Sequence, residues 1–458
     1  MNKQNADAMP DHEPGMAPGR LRWASIAILL GTFMGVLDGS IANVALPAIA
    51  SDLRAAPADA VWVVNAYQLA MAVAVLPLAA LGERIGYKRV FVAGLLLFTG
   101  ASILCAAAPS LPLLIAARVL QGLGGACVST IVPALLRAVY PSKQVGRGVG
   151  YLALTVGLAA AMGPTVAAAI LSAASWRWLF WVNLPIGLAD VVLASRLLPH
   201  QDGVHRPFDL AGSILNALAL ALLIIGVGSL GDRTAMGLAA LEIALAVVAG
   251  VLLIRHQRGR PTPLVPLDLM RIPMLRLSAG TSTCSYTAQT MAMLAMPFLL
   301  VSEMGRSASV TGLLMTPWPL VIVGVAPLSG RLADRYRSDV VGAAGLAVFS
   351  VGLVVLAMLP AQASNVDVAW RVALCGIGFG LFQTPNNRLM LTCAPRERSG
   401  AAGGLMTMAR MIGMTLGAAL ATILLDLEGT RGALRALVVA AVAAAGGFAV
   451  SLWRLRRG

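Results

Sequence analysis

Asp38 and Arg118 are an acid and a guanidinium set deep inside apolar runs, LLGTFMGVLDGSIANVALP and AARVLQGLGGA. An ionisable side chain in such a run is costly and is by default a functional hypothesis. A carboxyl group away from water is neutral at least cost, whereas a guanidinium beside it favours the charged form. Gaining and losing that neighbour could therefore load and release a proton; a static internal ion pair or helix cap is the plainer use of the same residues. Asp38 lies about fourteen residues into its run, roughly 21 Å into a bilayer core about 30 Å thick. Arg118 is about seven residues, or roughly 10 Å, from the opposite edge, which predicts similar depth for the two. Arg410, in MTMARMIGMTLG, is a second buried cation that needs an acceptor from substrate, backbone or the other half of the chain. Asp190, in LPIGLAD, reads as a pairing or helix-packing residue, and Glu242 and Asp426 read as structurally satisfied acids.

Other chemistries lack their residues. There is no P-loop, HExxH or GxSxG pattern, and His12, His200, His205 and His256 all fall outside the apolar runs. Cys105, Cys127, Cys284 and Cys375 lie within such runs and Cys393 at the end of one, so they read as packing residues, with no disulfide framework or paired ligands. The expectation is no enzyme, no metal and no cofactor.

The elements that must position these residues are about fourteen apolar stretches, each near the roughly 20 residues a spanning helix needs. They lie near 24–49, 60–81, 90–108, 111–136, 148–171, 178–198, 210–230, 236–254, 277–301, 310–332, 340–359, 368–391, 400–425 and 433–453. Composition agrees: 58% hydrophobic, 12% charged and a mean hydropathy of +0.82 describe a chain whose surface faces lipid. The net charge of +14 would suggest nucleic acid in a soluble protein, but here it is spread over short gaps, so none is expected. Basic clusters fill every second gap, for example Arg84/Lys88/Arg89, Arg137/Lys143/Arg147, Arg331/Arg335/Arg337 and Arg388/Arg396/Arg398. By the positive-inside rule both termini are expected in the cytoplasm. The first twenty residues hold acids and prolines and do not read as a cleavable signal.

An internal echo divides the chain. LGERIGYKR follows the second stretch and GRLADRYR the tenth, with Glu83 and Asp334 as matching acids 251 positions apart. Two related six-helix bundles with two inserted helices would place those loops alike. The expected division is a tail over 1–22, an N-terminal bundle over 23–200, an inserted pair over 201–260 and a C-terminal bundle over 261–458. The chain is thus expected to be an all-α polytopic membrane protein. Paired bundles with Gly- and Pro-interrupted helices belong to alternating-access transporters, whose substrate site lies near the midplane between the halves. Gly163-Pro164, Pro185, Pro317, Pro319, Pro327 and Pro385 are such interruptions.

VLDGSIANVALP (36–47) resembles the first-helix motif of the fourteen-helix drug:proton antiporter family, a branch of the major facilitator superfamily. LGERIGYKR (81–89) resembles the superfamily's loop signature, ARVLQGLGGA (117–126) its helix-four motif, GLAAAMGP (157–164) the antiporter motif of helix five, and SWRWLFWVNLPIG (175–187) the entry to helix six. Five motifs share one order. Ala79 and Glu83 stand where the loop signature usually has Gly and Asp, and Thr165-Val166-Ala167-Ala168 follows Pro164 where the family often has two glycines.

The resemblance implies a major-facilitator fold and an inner-membrane, proton-coupled antiporter exporting amphipathic, often cationic compounds. A dedicated exporter of one metabolite or antibiotic, or an uptake symporter, would use the same machinery. Asp38 and Arg118 would couple protons to transport. Glu83, Arg84 and Lys88, with Asp334 and Arg335, would latch the bundles, and Gly157, Gly163 and Pro164 would seal the outward path. Polar or aromatic candidates to line the cavity are Asn43, Trp62, Asn65, Tyr67, Gln68, Gln121, Gln289, Trp318, Gln383, Asn386 and Arg410, with Met291, Met293 and Met296 as adaptable apolar surface. The expected partners are drug-like substrate, protons and membrane lipid, with the chain acting as a monomer.

Overall fold

The structure is a computed structural model that describes residues 16, 18–55, 57–60, 62–141, 144–201, 203, 208–228, 236–258, 265–266, 268–306, 308–360, 362–428 and 430–457. Fourteen helices among them are long and apolar enough to cross a membrane. In chain order their main helical segments are α1 (Pro18–Asp52), α2 (Trp62–Ile85), α3 (Tyr87–Ala107), α4 (Leu111–Val139), α5 (Val145–Ala173), α6 (Asn183–Leu197, within a span Trp178–Leu197), α7 (Leu210–Gly228), α8 (Met236–Gln257), α9 (Pro273–Phe298), α10 (Pro317–Arg335, within a span Val310–Arg335), α11 (Ser338–Ala357), α12 (Asn365–Cys393), α13 (Ser399–Glu428) and α14 (Thr430–Arg457). With no water at the bilayer core, each span must satisfy its backbone internally, which is why unbroken apolar runs become helices.

Several helices outrun the apolar stretches that predict them. α1 has 35 residues, about 52 Å at 1.5 Å per residue, so its ends extend beyond a core of about 30 Å. The stretch expected over 310–332 is broken into Ala308–Met315 and α10, where Pro317 and Pro319 remove backbone donors. The sixth is likewise preceded by a separate turn, Trp178–Trp181.

The packing is repeated. In the first half α3 packs on α4, α4 on α2, α1 on α5 and α6, and α3 on α6; in the second, α11 packs on α12, α12 on α10, α9 on α13 and α14, and α11 on α14. Each pair of the first set maps onto one of the second by adding eight to the helix number. The bundles meet through α5 against α10 and α12, and through α13 against α2 and α4. The inserted pair α7 and α8 pack on each other, with α7 set against α2 and α13 at the edge of that seam. An apolar cluster fills each bundle, around Phe91 and Phe98 in the first and Phe349, Phe379 and Phe382 in the second. We call the end where α1 begins and α14 ends the termini face, and the opposite end the far face.

Candidate functional site

Asp38 is 2% exposed and lies at the centre of a polar cluster shared by five helices. Arg118 Nη1 donates to its Oδ2 at 2.5 Å, while Gln121 Nε2 and Asn183 Nδ2 donate to Oδ1 at 2.9 and 2.7 Å. Arg118 and Gln121 stand three apart on α4, one face of one helix turn. Arg118, fully buried, also donates from Nε to the Val63 carbonyl at 2.9 Å and from Nη1 to Gln121 Oε1 at 2.6 Å. Ser102 of α3 accepts from Gln121 at 2.8 Å and from Asn183 at 3.4 Å. The Tyr67 ring lies against the guanidinium, 4.2 Å from centroid to carbon. A buried charge needs this degree of satisfaction: leaving it unpaired would cost several kcal/mol, on the order of 3–5. The equal depth expected from residue counting is therefore met as a direct contact.

The α5 motif interlocks with the same helix that carries Asp38. Pro164 cannot donate to the carbonyl four residues earlier, that of Ala160. Ser40 Oγ donates to that carbonyl at 3.2 Å, so the Ser of VLDGSI supplies the hydrogen bond that the Pro of GLAAAMGP removes. Gly163 makes room for it, since a Cβ there would come 2.1 Å from Ser40 Oγ. Gly157 serves the other side: its Cβ would come 2.7 Å from Val323 of α10, across the seam between bundles. The Pro164 side chain lies outside the described residues.

At the termini face two acids join the bundles. Glu83, at the end of α2, accepts from the Ala401 amide at 2.7 Å and from Arg398 Nη1 at 2.8 Å, and Tyr87 Oη accepts from the Gly400 amide at 2.9 Å. Asp334, at the end of α10, accepts from the Gly146 and Arg147 amides at 3.0 Å each and from Arg388 Nε at 3.2 Å. Each carboxylate thus sits on the amino terminus of a helix of the opposite bundle, α13 and α5, where free amides and the helix dipole favour negative charge. Arg398 is also held by Asp268 through two bonds of 2.9 and 3.0 Å. Burial works against its charge, yet the Asp268 and Glu83 carboxylates outweigh that and hold its pKa above the usual value. Gly86, at φ 97°, turns the chain sharply between α2 and α3, a backbone shape that favours glycine.

Several expected latch and cavity positions turn out to be placed differently. Arg84 and Arg335 are exposed and Lys88 half-buried, and none makes the cross-bundle contact; Arg398 and Arg388 supply it. Gln121 and Tyr67 belong to the Asp38 cluster, walled off by packing. Trp318 is 1% exposed and stacks edge-on against Phe349. Asn386 is buried too: Arg454 Nη1 donates to its Oδ1 at 2.7 Å, and its own Nδ2 donates to Ser282 Oγ at 2.9 Å. Met291 and Met296 fill the core of the second bundle and offer no free surface. Asn43 points away from packing and donates to the Gly39 carbonyl of its own helix. Asn65, Gln68 and Trp62 are exposed, Gln289, Gln383 and Arg410 partly so.

The family model described as Major Facilitator Superfamily matches residues 28–254 and 279–458. The chain belongs to that superfamily. As such it is a transporter. It is 45% identical over 446 residues to an uncharacterized transporter, YebQ, of Escherichia coli (strain K12), covering 97% of this chain and 96% of that one. It is 34% identical to the multidrug resistance protein Stp of Mycobacterium tuberculosis (strain CDC 1551 / Oshkosh), covering 86% of this chain and 73% of that one. Among solved structures, the human organic anion transporter MFSD10 superposes with a TM-score of 0.72 at 12% identity, covering 95% of this chain and all of that one, a likeness of fold alone.

Within this major-facilitator frame, two residues of the cluster escaped sequence reasoning. Asn183 stands inside a recognised motif, but a neutral amide raises no energetic flag. Ser102 has no local signal. Asp190, read as a pairing or helix-packing residue, is fully buried with neither carboxylate oxygen hydrogen-bonded among the described residues, and it packs close to α1, where a Cβ on Gly31 would come 2.7 Å from its Oδ2. Glu242 Oε2 likewise finds no partner there, and the Asp426 side chain lies outside the described residues. His256 is tied at 3.0 Å to Asp209, beside the inserted pair, while His12 and His205 lie outside the described residues.

Proposed function

We propose that this transporter is a proton-driven antiporter that exports amphipathic, drug-like compounds across the inner membrane by alternating access, working as a monomer. The excess of Arg and Lys at the termini face assigns that face to the cytoplasm. The observation that carries the reading is the sealed Asp38–Arg118 pair, an acid that can take up a proton beside a guanidinium that cannot lose one. In the cycle we envisage, a proton arriving at Asp38 displaces a donor and frees Arg118 from the one acid it meets among the described residues, so the helices that meet there must repack. That supplies a two-state element that proton and substrate can bias together.

Glu83 and Asp334 set the other half of the cycle. The hydrogen bonds between the bundles cluster at the termini face, which in this reading is the closed gate of an outward-facing state. Reopening costs both helix-terminus contacts and the Arg398 bridge together, so a switch from one side to the other is all-or-none. A membrane potential of 100 mV supplies about 2.3 kcal/mol per charge, comparable to one charge-assisted hydrogen bond.

Inverted vesicles test the scheme. With the lumen acidified and no ATP, they should accumulate an amphipathic dye, lose it when a protonophore is added, and show neither with Asp38→Asn. Accumulation that needs ATP and survives the protonophore would overturn the mechanism.

A further inference from the structure

Arg410 lies eleven residues into α13, roughly 16 Å from the termini end and so near the middle of a bilayer core of about 30 Å. Its direction follows from its neighbours. A Cβ on Gly403 would meet Thr130 and Pro133 of α4, and one on Gly417 would meet Thr287 and Thr290 of α9. At 100° per residue Arg410 lies about 20° from each of those directions, between them. It therefore faces the space between α4 of one bundle and α9 of the other. It is partly exposed there, and makes no hydrogen bond or ion pair among the described residues.

The helices it faces cannot neutralise it. α4 and α9 contain no Asp or Glu at all. Asp38, the acid at mid-membrane in α1, already accepts from Arg118, Gln121 and Asn183 and is 2% exposed. The cationic substrates that the family resemblance implies would need a free acid, and in this conformation the Asp38 charge is taken. A second donor stands near the guanidinium. Tyr286 of α9 packs against α13 about one turn from Arg410, where a Cβ on Gly413 would come 2.8 Å from the Tyr286 Cβ, and its hydroxyl accepts from Gln383 Nε2 at 2.6 Å and so has its own proton left to give.

We propose that Arg410 is the substrate-charge site of this transporter and that it takes amphipathic organic anions, bound as a carboxylate across Arg410 and Tyr286. An unpaired intramembrane cation is costly without a counter-charge, and here the ligand supplies it. A carboxylate also matches the planar fork of a guanidinium. Export of an anion from a negatively charged cytoplasm is favoured by the membrane potential itself, so the substrate contributes to its own expulsion. This rests on the export reading for its direction of movement, and on geometry alone for its chemistry.

The test uses purified full-length protein in lipid nanodiscs and three probes on one aromatic body: pyrenebutyrate, its methyl ester and a pyrenylbutyl-trimethylammonium salt. Binding is followed by fluorescence, with empty nanodiscs subtracted. Wild type should hold pyrenebutyrate about tenfold or more tightly than the ester, the size of one modest charge interaction. Arg410→Gln should erase that preference and leave ester binding unchanged, while Arg410→Lys should retain part of it. Tighter binding of the trimethylammonium probe, an equal loss of all three probes in Arg410→Gln, or no binding of pyrenebutyrate by wild type overturns the proposal. Binding is read without a gradient, so its failure leaves proton-driven export standing. The expected preference with no gradient-driven movement of pyrenebutyrate would overturn export and leave the binding site.

Discussion

The two bundles repeat one packing scheme but put different chemistry at opposite depths. In the first, the buried polar cluster centres on Arg118, seven residues from the far end of α4, and contains an acid, Asp38. In the second it centres on Asn386, seven residues from the termini end of α12, and contains a cation, Arg454, held by Ser278, Asn386 and Ser451. Asp339, at the start of α11, spends its oxygens on Arg337 and the Val340 amide. The lesson is about which buried charge can change. A carboxylate can be neutralised by one proton, whereas a guanidinium held by neutral oxygens keeps its charge at any physiological pH. On that ground the proposed proton coupling would belong to the first bundle and a fixed structural tie to the second.

The sharpest way to break this contrast is Asp38→Asn, which preserves shape but cannot ionise and turns one acceptor oxygen into a donor. Proton-coupled transport should fall by about a hundredfold or more, with the protein still inserted and folded. Coupled transport at the wild-type rate in vesicles would move the proton site elsewhere, with Asp190 the first alternative.

Next in size is a matched pair of arginine replacements. Arg118→Met leaves Asp38 as an uncompensated buried charge, a loss of about 3–5 kcal/mol. Arg454→Met strands only neutral groups, at about 1–2 kcal/mol, and should leave coupling intact. Thermal unfolding in detergent and transport in vesicles read the two effects separately. Equal losses of stability would mean that the clusters are alike after all.

The latches sharpen the comparison further, because here the two halves behave as true equivalents. Glu83→Gln and Asp334→Asn each remove a charge from a helix amino terminus, worth about 1 kcal/mol. Each should shift distances between spin labels at the exposed Arg89 and Arg331 toward longer values, and the double variant more so. No shift in either would show that these contacts do not hold the termini face closed.

The smallest effect belongs to the far face. Asp52 accepts from Trp176 Nε1 at 3.0 Å and Arg177 Nη1 at 2.7 Å, and these hydrogen bonds, the first more than the second, hold its carboxyl below the usual range. A lowered carboxylate pKa contributes stability above the unfolded value of about 3.9, and that contribution fades as pH falls through the folded value. The difference in melting temperature between wild type and Asp52→Asn should thus be small at neutral pH and vanish under strong acid. A difference that grows on acidification would contradict this sign.

Legibility followed cost. Asp38 and Arg118 announced themselves because charges in apolar runs demand an explanation. Gln121 was flagged as well, but as a cavity residue, since spacing along α4 cannot say whether an amide faces the bundle core or the seam. Arg388 and Arg398 were visible only as topological charges, because the rule that placed them counts basic residues per loop and is blind to what each one touches. Pro164 marked an interrupted helix, yet nothing local showed that Ser40, more than a hundred positions away, restores the missing hydrogen bond.

What the sequence determined by itself is the number of spans, the repeat and the residues too costly to be accidental. Bilayer thickness converts directly into run length, and the penalty for burying charge needs no knowledge of neighbours. The pairing of those residues was decided only by tertiary structure. Partner choice depends on which helices sit side by side and on the direction each side chain takes around its helix. That is why Asp38 is occupied while Arg410 has no hydrogen-bond or ion-pair partner among the described residues, although in the sequence both are single charges in apolar helices.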